Sequence, residues 1–188
     1  MADVTASPTT ATTTGSGALA LSPTNLLADD GNLATFAFLG GSNSLQSQLL
    51  EPKGFSHTAP DRSSLQGVTL NMVDRRHLTK FNSMWDLSVR LLINSSAAGD
   101  NKASTTFWST STETVVYGTS LDTWGLTSAE LAQVNGAAFG VQQATTGQGV
   151  LTIDQAALTF HYVELEKALR YTRSPHFLMP GSQQPNLR

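Results

Sequence analysis

The stretch from Gly99 to Val141, GDNKASTTFWSTSTETVVYGTSLDTWGLTSAELAQVNGAAFGV, constrains the fold of this chain more than any other. Aromatics, glycines and turn residues alternate along it, so strands form but stay short. A short amphipathic strand has one apolar face to hide, and two such sheets laid face to face hide both. Other segments repeat the pattern. Leu33 to Leu39 reads as a strand, started by the Asp29-Asp30-Gly31-Asn32 turn and stopped by Gly40-Gly41. Val68, Leu70 and Met72 alternate with polar or smaller residues. Trp85, Leu87, Val89, Leu91 and Ile93 form the cleanest period-two series, with Asp86, Ser88 and Arg90 assigned to the opposite face. Glu113 to Tyr117 and Ala138 to Gln142 are shorter candidates. The last strand, Val150 to Glu164, puts Ala156, Leu158, Phe160 and Tyr162 on one face. Gln155, Ala157, Thr159 and a solvent-facing or neighbour-facing His161 fall on the other.

These roughly six to eight strands predict an all-β fold, an antiparallel, jelly-roll-like β-sandwich. One short helix is expected within it. Thr127-Ser128-Ala129-Glu130 has the form of a capping box, and Leu131 and Val134 supply a buried stripe before Asn135-Gly136. Too short to stand alone, such a helix must pack on the end of the sandwich.

The ends of the chain differ in character. From Val4 to Ala28 there is no charged residue, and six threonines fall between Thr5 and Thr14. The division expected is an extended N-terminal arm over 1–21, a sandwich over 22–164 and a C-terminal tail over 165–188. Thr9, Thr12, Leu19 and Leu21 are the arm's expected contacts with neighbouring subunits, by strand addition or in a groove. Deleting Met1 to Gly17 would then leave the sandwich folded. In the tail, Arg170 and Arg173 surround an apolar run, Phe177-Leu178-Met179, that is expected to insert into a neighbour or into the sandwich's own edge.

Composition narrows the function classes. A net charge of -3 gives no electrostatic case for nucleic acid as a partner. Charged residues make up 13% of the chain, so Ser, Thr, Asn and Gln carry much of the surface polarity and close packing costs little charge desolvation. There is no cysteine, hence no disulfide or thiolate chemistry. No apolar run long enough for a membrane span and no secretory-signal pattern is visible. His57, His77, His161 and His176 are widely spaced and none sits at metal-ligand spacing. Phosphate loops, nucleophile elbows and zinc-protease motifs are absent. Trp108 and Trp124 are read as core or turn-packing residues, with stacking on a sugar ring as the alternative. No catalytic residue, metal site or cofactor is assigned.

The order of several blocks resembles a β-sandwich module found in structural proteins of tailed-bacteriophage virions. Ser22-Pro23-Thr24-Asn25, Asp29-Asp30-Gly31 and the strand to Phe38 match its opening. Gly54-Phe55, Pro60, Gly67-Val68 and Asp74-Arg75-Arg76 follow, then Leu87 to Asn94 before Gly99-Asp100-Asn101-Lys102-Ala103. The most specific block holds Trp108, Glu113 to Gly118, Asp122-Thr123-Trp124-Gly125-Leu126-Thr127, Val134-Asn135 and Phe139-Gly140-Val141. His161-Tyr162-Val163 matches its end. Asp122 before Thr123-Trp124 departs from the usual leucine, and both tails lie outside the pattern. Gly118, Asp122, Trp124, Gly125 and Phe139 are the positions expected to define the fold. Trp124 would plug the core's end, Asp122 would close a turn, and Gly118 and Gly125 would serve tight turns. The resemblance implies a non-enzymatic virion protein. Capsid decoration is the leading expectation, with the major capsid protein as partner and trimeric self-association. Tail, collar or fibre anchoring is the alternative, and a carbohydrate-binding receptor module a further one.

Overall fold

The computed structural model describes residues 1–18, 20–38, 46–78, 84–147 and 149–165. Leu19, Arg170, Arg173, Phe177, Leu178 and Met179 lie outside the described residues. The fold is all-β, with two sheets facing one another. Its strands are β1 (Ala2–Ala6), β2 (Thr10–Thr14), β3 (Ala20–Leu21), β4 (Ala34–Phe38), β5 (Leu49–Lys53) and β6 (Ser63–His77). After these come β7 (Trp85–Ile93), β8 (Ser96–Ala98), β9 (Glu113–Tyr117), β10 (Gly140–Thr146), β11 (Gly149–Ile153) and β12 (Gln155–Glu164). A 3-10 helix spans Pro23–Leu27, and one α-helix among the described residues, α1 (Ser128–Leu131), carries the expected capping box.

The seven-stranded sheet runs β1-β12-β6-β11-β4-β3, with β9 on β6, and the five-stranded sheet runs β2-β5-β10-β7-β8. All the strand pairs are antiparallel. The strand β6 organises the larger sheet. It pairs with β12 from Gln155↔Val73 to Glu164↔Ser63, with β11 at Leu151↔His77, and with β9 at Leu70↔Tyr117. Val68, Leu70 and Met72 of β6 face the other sheet with Ala156, Leu158 and Phe160 of β12, and all six are fully buried. Burial at this scale, about 1.5–3 kcal/mol for each large side chain, is what holds the two layers together.

One long final strand was expected, and the structure breaks it at Asp154. There the β6 partner Asp74 adopts φ 52, and the Asp154 N–H donates to the Val73 carbonyl at 3.0 Å. The break is fastened to the Asp29-Asp30-Gly31-Asn32 turn, because the Gly31 N–H donates to Asp154 Oδ2 at 2.9 Å. Within the turn, the Asn32 N–H donates to Asp30 Oδ1 at 3.0 Å, as in an Asx turn.

The N-terminal segment corrects an expectation. Residues 1–18 do not lead away as an arm: they close both sheets of their own domain. Strand β1 pairs with β12 from Ala2↔Tyr162 to Ala6↔Leu158, and β2 pairs with β5 from Thr10↔Lys53 to Thr14↔Leu49. Ala6, Pro8 and Ala11 are buried at the crossing from one sheet to the other. The Thr9 N–H donates to the Lys53 carbonyl at 2.9 Å, and Thr12 sits opposite Glu51. Thr14 Oγ1 donates to Glu51 Oε1 at 2.9 Å. Leu21, in β3, is 45% exposed beside β4. Threonine's strand preference was read correctly, but its partner is intramolecular. Removing residues 1–17 is therefore expected to lower unfolding free energy by on the order of 2 kcal/mol or more, the scale of one large buried side chain. Urea denaturation of the shortened protein checks this, and an unchanged midpoint would contradict it.

The strand β7 also departs from its expected faces. Asp86 is buried at 3%, while Leu87 is 37% exposed. The pairing with β10 shifts register between Ala144 and Thr145, so that Thr145 faces Asp86 and Ala144 faces Ser88. A bulge of this kind reverses the alternation on one side of it. From Val89 to Ile93 the period-two reading holds.

Candidate functional site

Four groupings of side chains stand out, and each is placed by a specific local feature. The first is the sandwich end built by the block from Gly118 to Phe139. Asp122 Oδ1 accepts from the Trp124 N–H at 2.7 Å, closing the turn. Trp124 is fully buried, and its indole Nε1 donates to the Val68 carbonyl at 2.8 Å. Gly118 has φ 82, and a Cβ there would stand 2.5 Å from the Val68 carbonyl oxygen. Gly125 has φ 67, with Asp100 where a side chain would go. Phe139 meets Phe55 edge-on at 6.4 Å and Phe160 at 6.0 Å. Lys102 joins Asp122 at 2.9 Å and Asp100 at 3.3 Å across the surface. These residues build the fold. Trp108 is 1% exposed and Trp124 fully buried, so neither offers a ring to a sugar.

The second grouping was not anticipated. Asp86 accepts hydrogen bonds from Trp108 Nε1 at 2.9 Å, the Tyr117 hydroxyl at 2.8 Å, and the Ser104 N–H at 3.3 Å. Arg75 lies 3.4 Å from both Asp86 oxygens, bonds Tyr117, and reaches Glu113 at 3.1 Å. Its guanidinium also stacks over the Trp108 ring, 4.3 Å from the centroid. Burial, followed by the adjacent Asp86 charge, pushes the Tyr117 hydroxyl far above its ordinary value and keeps it a donor. This network ties β6, β7 and β9 together, with every strong acceptor answered by a donor.

On the outer face of the large sheet lies the third. Asp3 Oδ1 is 2.8 Å from His161 Nδ1, and His161 Nε2 is 3.2 Å from Thr69 Oγ1. Beside this chain the Thr5 and Thr159 hydroxyls meet at 3.1 Å, and Asn71 Nδ2 donates to Thr159 Oγ1 at 3.4 Å. Carboxylate, imidazole and hydroxyl stand in the order of a nucleophilic triad. Here, however, they run across β1, β12 and β6, Asp3 directly opposite His161 and Thr69 diagonal to it, and the backbone groups around them pair strand with strand. The chain fastens β1 to the sheet. His161, expected to face solvent or a neighbour, is 8% exposed because Asp3 and Thr69 flank it.

A small cavity between α1 and the large sheet forms the fourth. It has a volume of about 210 Å³ and is lined by His57, Leu65, Leu131, Val134, Asn135 and Tyr162 among others. Asn135 grips the His57 backbone from both sides, accepting from its N–H at 3.1 Å and donating to its carbonyl at 2.8 Å. The imidazole stacks on Phe160 at 3.8 Å, and its Nε2 is 2.5 Å from the Tyr162 hydroxyl. Its Nδ1 is buried towards the Phe55 carbonyl without completing a hydrogen bond of good geometry. Burial lowers the His57 pKa, and burial raises that of Tyr162, so both rings are neutral near pH 7.

The neutral imidazole has a measurable consequence. In the unfolded chain His57 titrates near 6.5, above its folded value. Above that pH the ring is uncharged in both states, and its full contribution to stability is present. As pH falls through it, the unfolded chain takes up the proton first, and stability declines until the folded value is passed. Unfolding free energy is expected to be lower at about pH 5 than at about pH 7.5, and His57→Gln should remove part of that difference. Identical pH dependence in both proteins would contradict the assignment.

Among the described residues no group of three or more His, Asp or Glu is placed to hold a metal ion. No helix among them is long and apolar enough to cross a membrane. No protein-family model, curated protein or solved structure matches the chain.

Proposed function

We propose that this protein is a non-enzymatic structural component of a tailed-phage virion. In this reading its jelly-roll-like sandwich decorates the capsid exterior and bridges subunits of the major capsid protein. The observation that carries the reading is the outer face of the large sheet. Asp3 and Thr5 of β1, Thr159 and His161 of β12, Thr69 and Asn71 of β6, and Thr114 and Val116 of β9 alternate towards it. Asp3 is the one carboxylate in this set, and His161 already holds it. A face on which Thr5, Thr159 and Asn71 bond one another, with Val116 exposed beside them, meets another protein with little charge to desolvate. Many weak copies of such a contact stabilise a shell through multivalency. The resemblance in residue order from Ser22 to Val163 supports the same reading.

The test is co-sedimentation of the purified protein with particles that lack it. Thr5→Lys and Thr159→Lys are expected to weaken association roughly tenfold each, since an unpaired charge enters the contact at a cost of order 1–3 kcal/mol. Wild-type binding by both variants would remove this face from the interface.

One observation favours a second reading. Phe107 is 51% exposed and meets Trp85 edge-on at 5.7 Å, an aromatic pair open to a sugar ring. A glycan array with Phe107→Ala as control separates this receptor role from decoration.

A further inference from the structure

We propose that a calcium ion binds between the carboxylates of Asp29 and Asp154, where the Asp29-Asp30-Gly31-Asn32 turn meets the break between β11 and β12. The proposal does not depend on where the protein acts.

The first observation is a buried oxygen with nothing to bond. Asp154 is 1% exposed. Its Oδ2 accepts from the Gly31 N–H at 2.9 Å, whereas its Oδ1 is buried and meets no donor. A carboxylate oxygen withdrawn from water is costly unless a donor or a cation answers it. What lies within hydrogen-bonding reach of Asp154 is a second carboxyl group, that of Asp29.

The second observation is charge without a counter-charge. The Asp154 N–H donates to the Val73 carbonyl at 3.0 Å, which sets Asp154 beside Asp74 of β6. Desolvation, then contact with Asp154, then the charges of Asp154, Asp74 and Asp30 all raise the Asp29 pKa. Elsewhere carboxylates meet cations: Glu51 pairs with Lys53, Asp86 and Glu113 with Arg75, and Asp100 and Asp122 with Lys102. Among the described residues, Asp29, Asp30, Asp74 and Asp154 have no Lys, Arg or His partner.

Donor chemistry selects the ion. The side chains at this junction offer hard oxygen atoms and neither thiolate nor imidazole, which suits calcium rather than zinc. No three acidic side chains among the described residues form a cage. Peptide carbonyls and water would therefore supply the rest of the roughly six to eight oxygens that calcium takes, and binding falls in the weak range, about 0.1–1 mM. Magnesium, which needs near-octahedral geometry and dehydrates reluctantly, fits less well. Once bound, the ion clamps the turn before β4 to the start of β12.

Calcium titration of the full chain, followed by amide NMR, tests the proposal. The Gly31, Asn32 and Asp154 amide signals are expected to shift and to saturate by about 10 mM calcium. In urea denaturation, calcium at about ten times its dissociation constant should lower the unfolding equilibrium constant about tenfold. Asp29→Asn alters an exposed position, so the variant should fold, and it should lose both responses. Asp61→Asn, at an exposed aspartate elsewhere, should keep them. No saturable shift at Gly31 or Asp154 would overturn the proposal, as would an Asp29→Asn variant that responds like the native protein. An equal response to magnesium, or to sodium chloride at matched ionic strength, would also overturn it by reducing the effect to general screening.

Discussion

Replacing Arg75 with methionine is expected to destabilise the protein by about 3–5 kcal/mol, the usual cost of stripping one partner from a buried ion pair. Asp86 is then left as a carboxylate at 3% exposure with only neutral donors, Trp108, Tyr117 and the Ser104 N–H. Part of the loss is the guanidinium's stacking on Trp108. Combining Arg75→Met with Asp86→Leu removes the orphaned charge but strands the donors of Trp108, Tyr117 and Ser104. The double variant should therefore lose less than the sum of the two single losses without returning to the native stability. Urea denaturation of the two single variants and the double variant gives the coupling directly. A loss below about 1 kcal/mol for Arg75→Met would mean that the pair contributes no more than an exposed one.

Trp124→Ala is the second large effect, expected at about 3–5 kcal/mol for a fully buried aromatic. The indole fills the sandwich end and donates to the Val68 carbonyl, so the variant loses both packing and a hydrogen bond. Trp124 also adopts φ 57, a left-handed conformation that alanine does not relieve. The backbone strain is thus common to both proteins, and the lost burial decides the sign. A melting temperature unchanged within about a degree would show that the side chain is not a core plug.

The strands that the sequence announced are those whose two faces differ cleanly. Glu113 to Tyr117 appears as a strand with the expected bounds, and the capping box at Thr127 and Glu130 forms in full. Asp122 accepts from the Trp124 N–H, and the Trp124 indole is fully buried. Where reading failed, a long-range partner had overridden a local pattern. Thr10 to Thr14 looks equally ready to pair with any strand, and only the folded chain shows that β5 is its partner. Asp86 alternates with apolar residues as a surface carboxylate would, and a one-residue bulge turns it inward. The donors that make this tolerable come from Arg75, Trp108 and Tyr117, up to 31 positions away in sequence. Asn101 is a similar case: its side chain accepts from the Val89 N–H at 2.8 Å and donates to the Leu87 carbonyl at 3.2 Å, standing in for a strand beside β7. Asp3, His161 and Thr69 were separately visible as polar residues, but their contact requires β1 to lie against β12, which periodicity cannot reveal.

The proposed role as a capsid decoration protein stands or falls on abundance in the particle. Counting this chain against the major capsid protein in purified virions, by quantitative mass spectrometry, measures it. A protein that bridges capsid subunits by many weak contacts should be present at on the order of hundreds of copies per particle. A few tens of copies or fewer would place it in a tail, collar or fibre instead, and its absence from purified particles would contradict a virion role altogether.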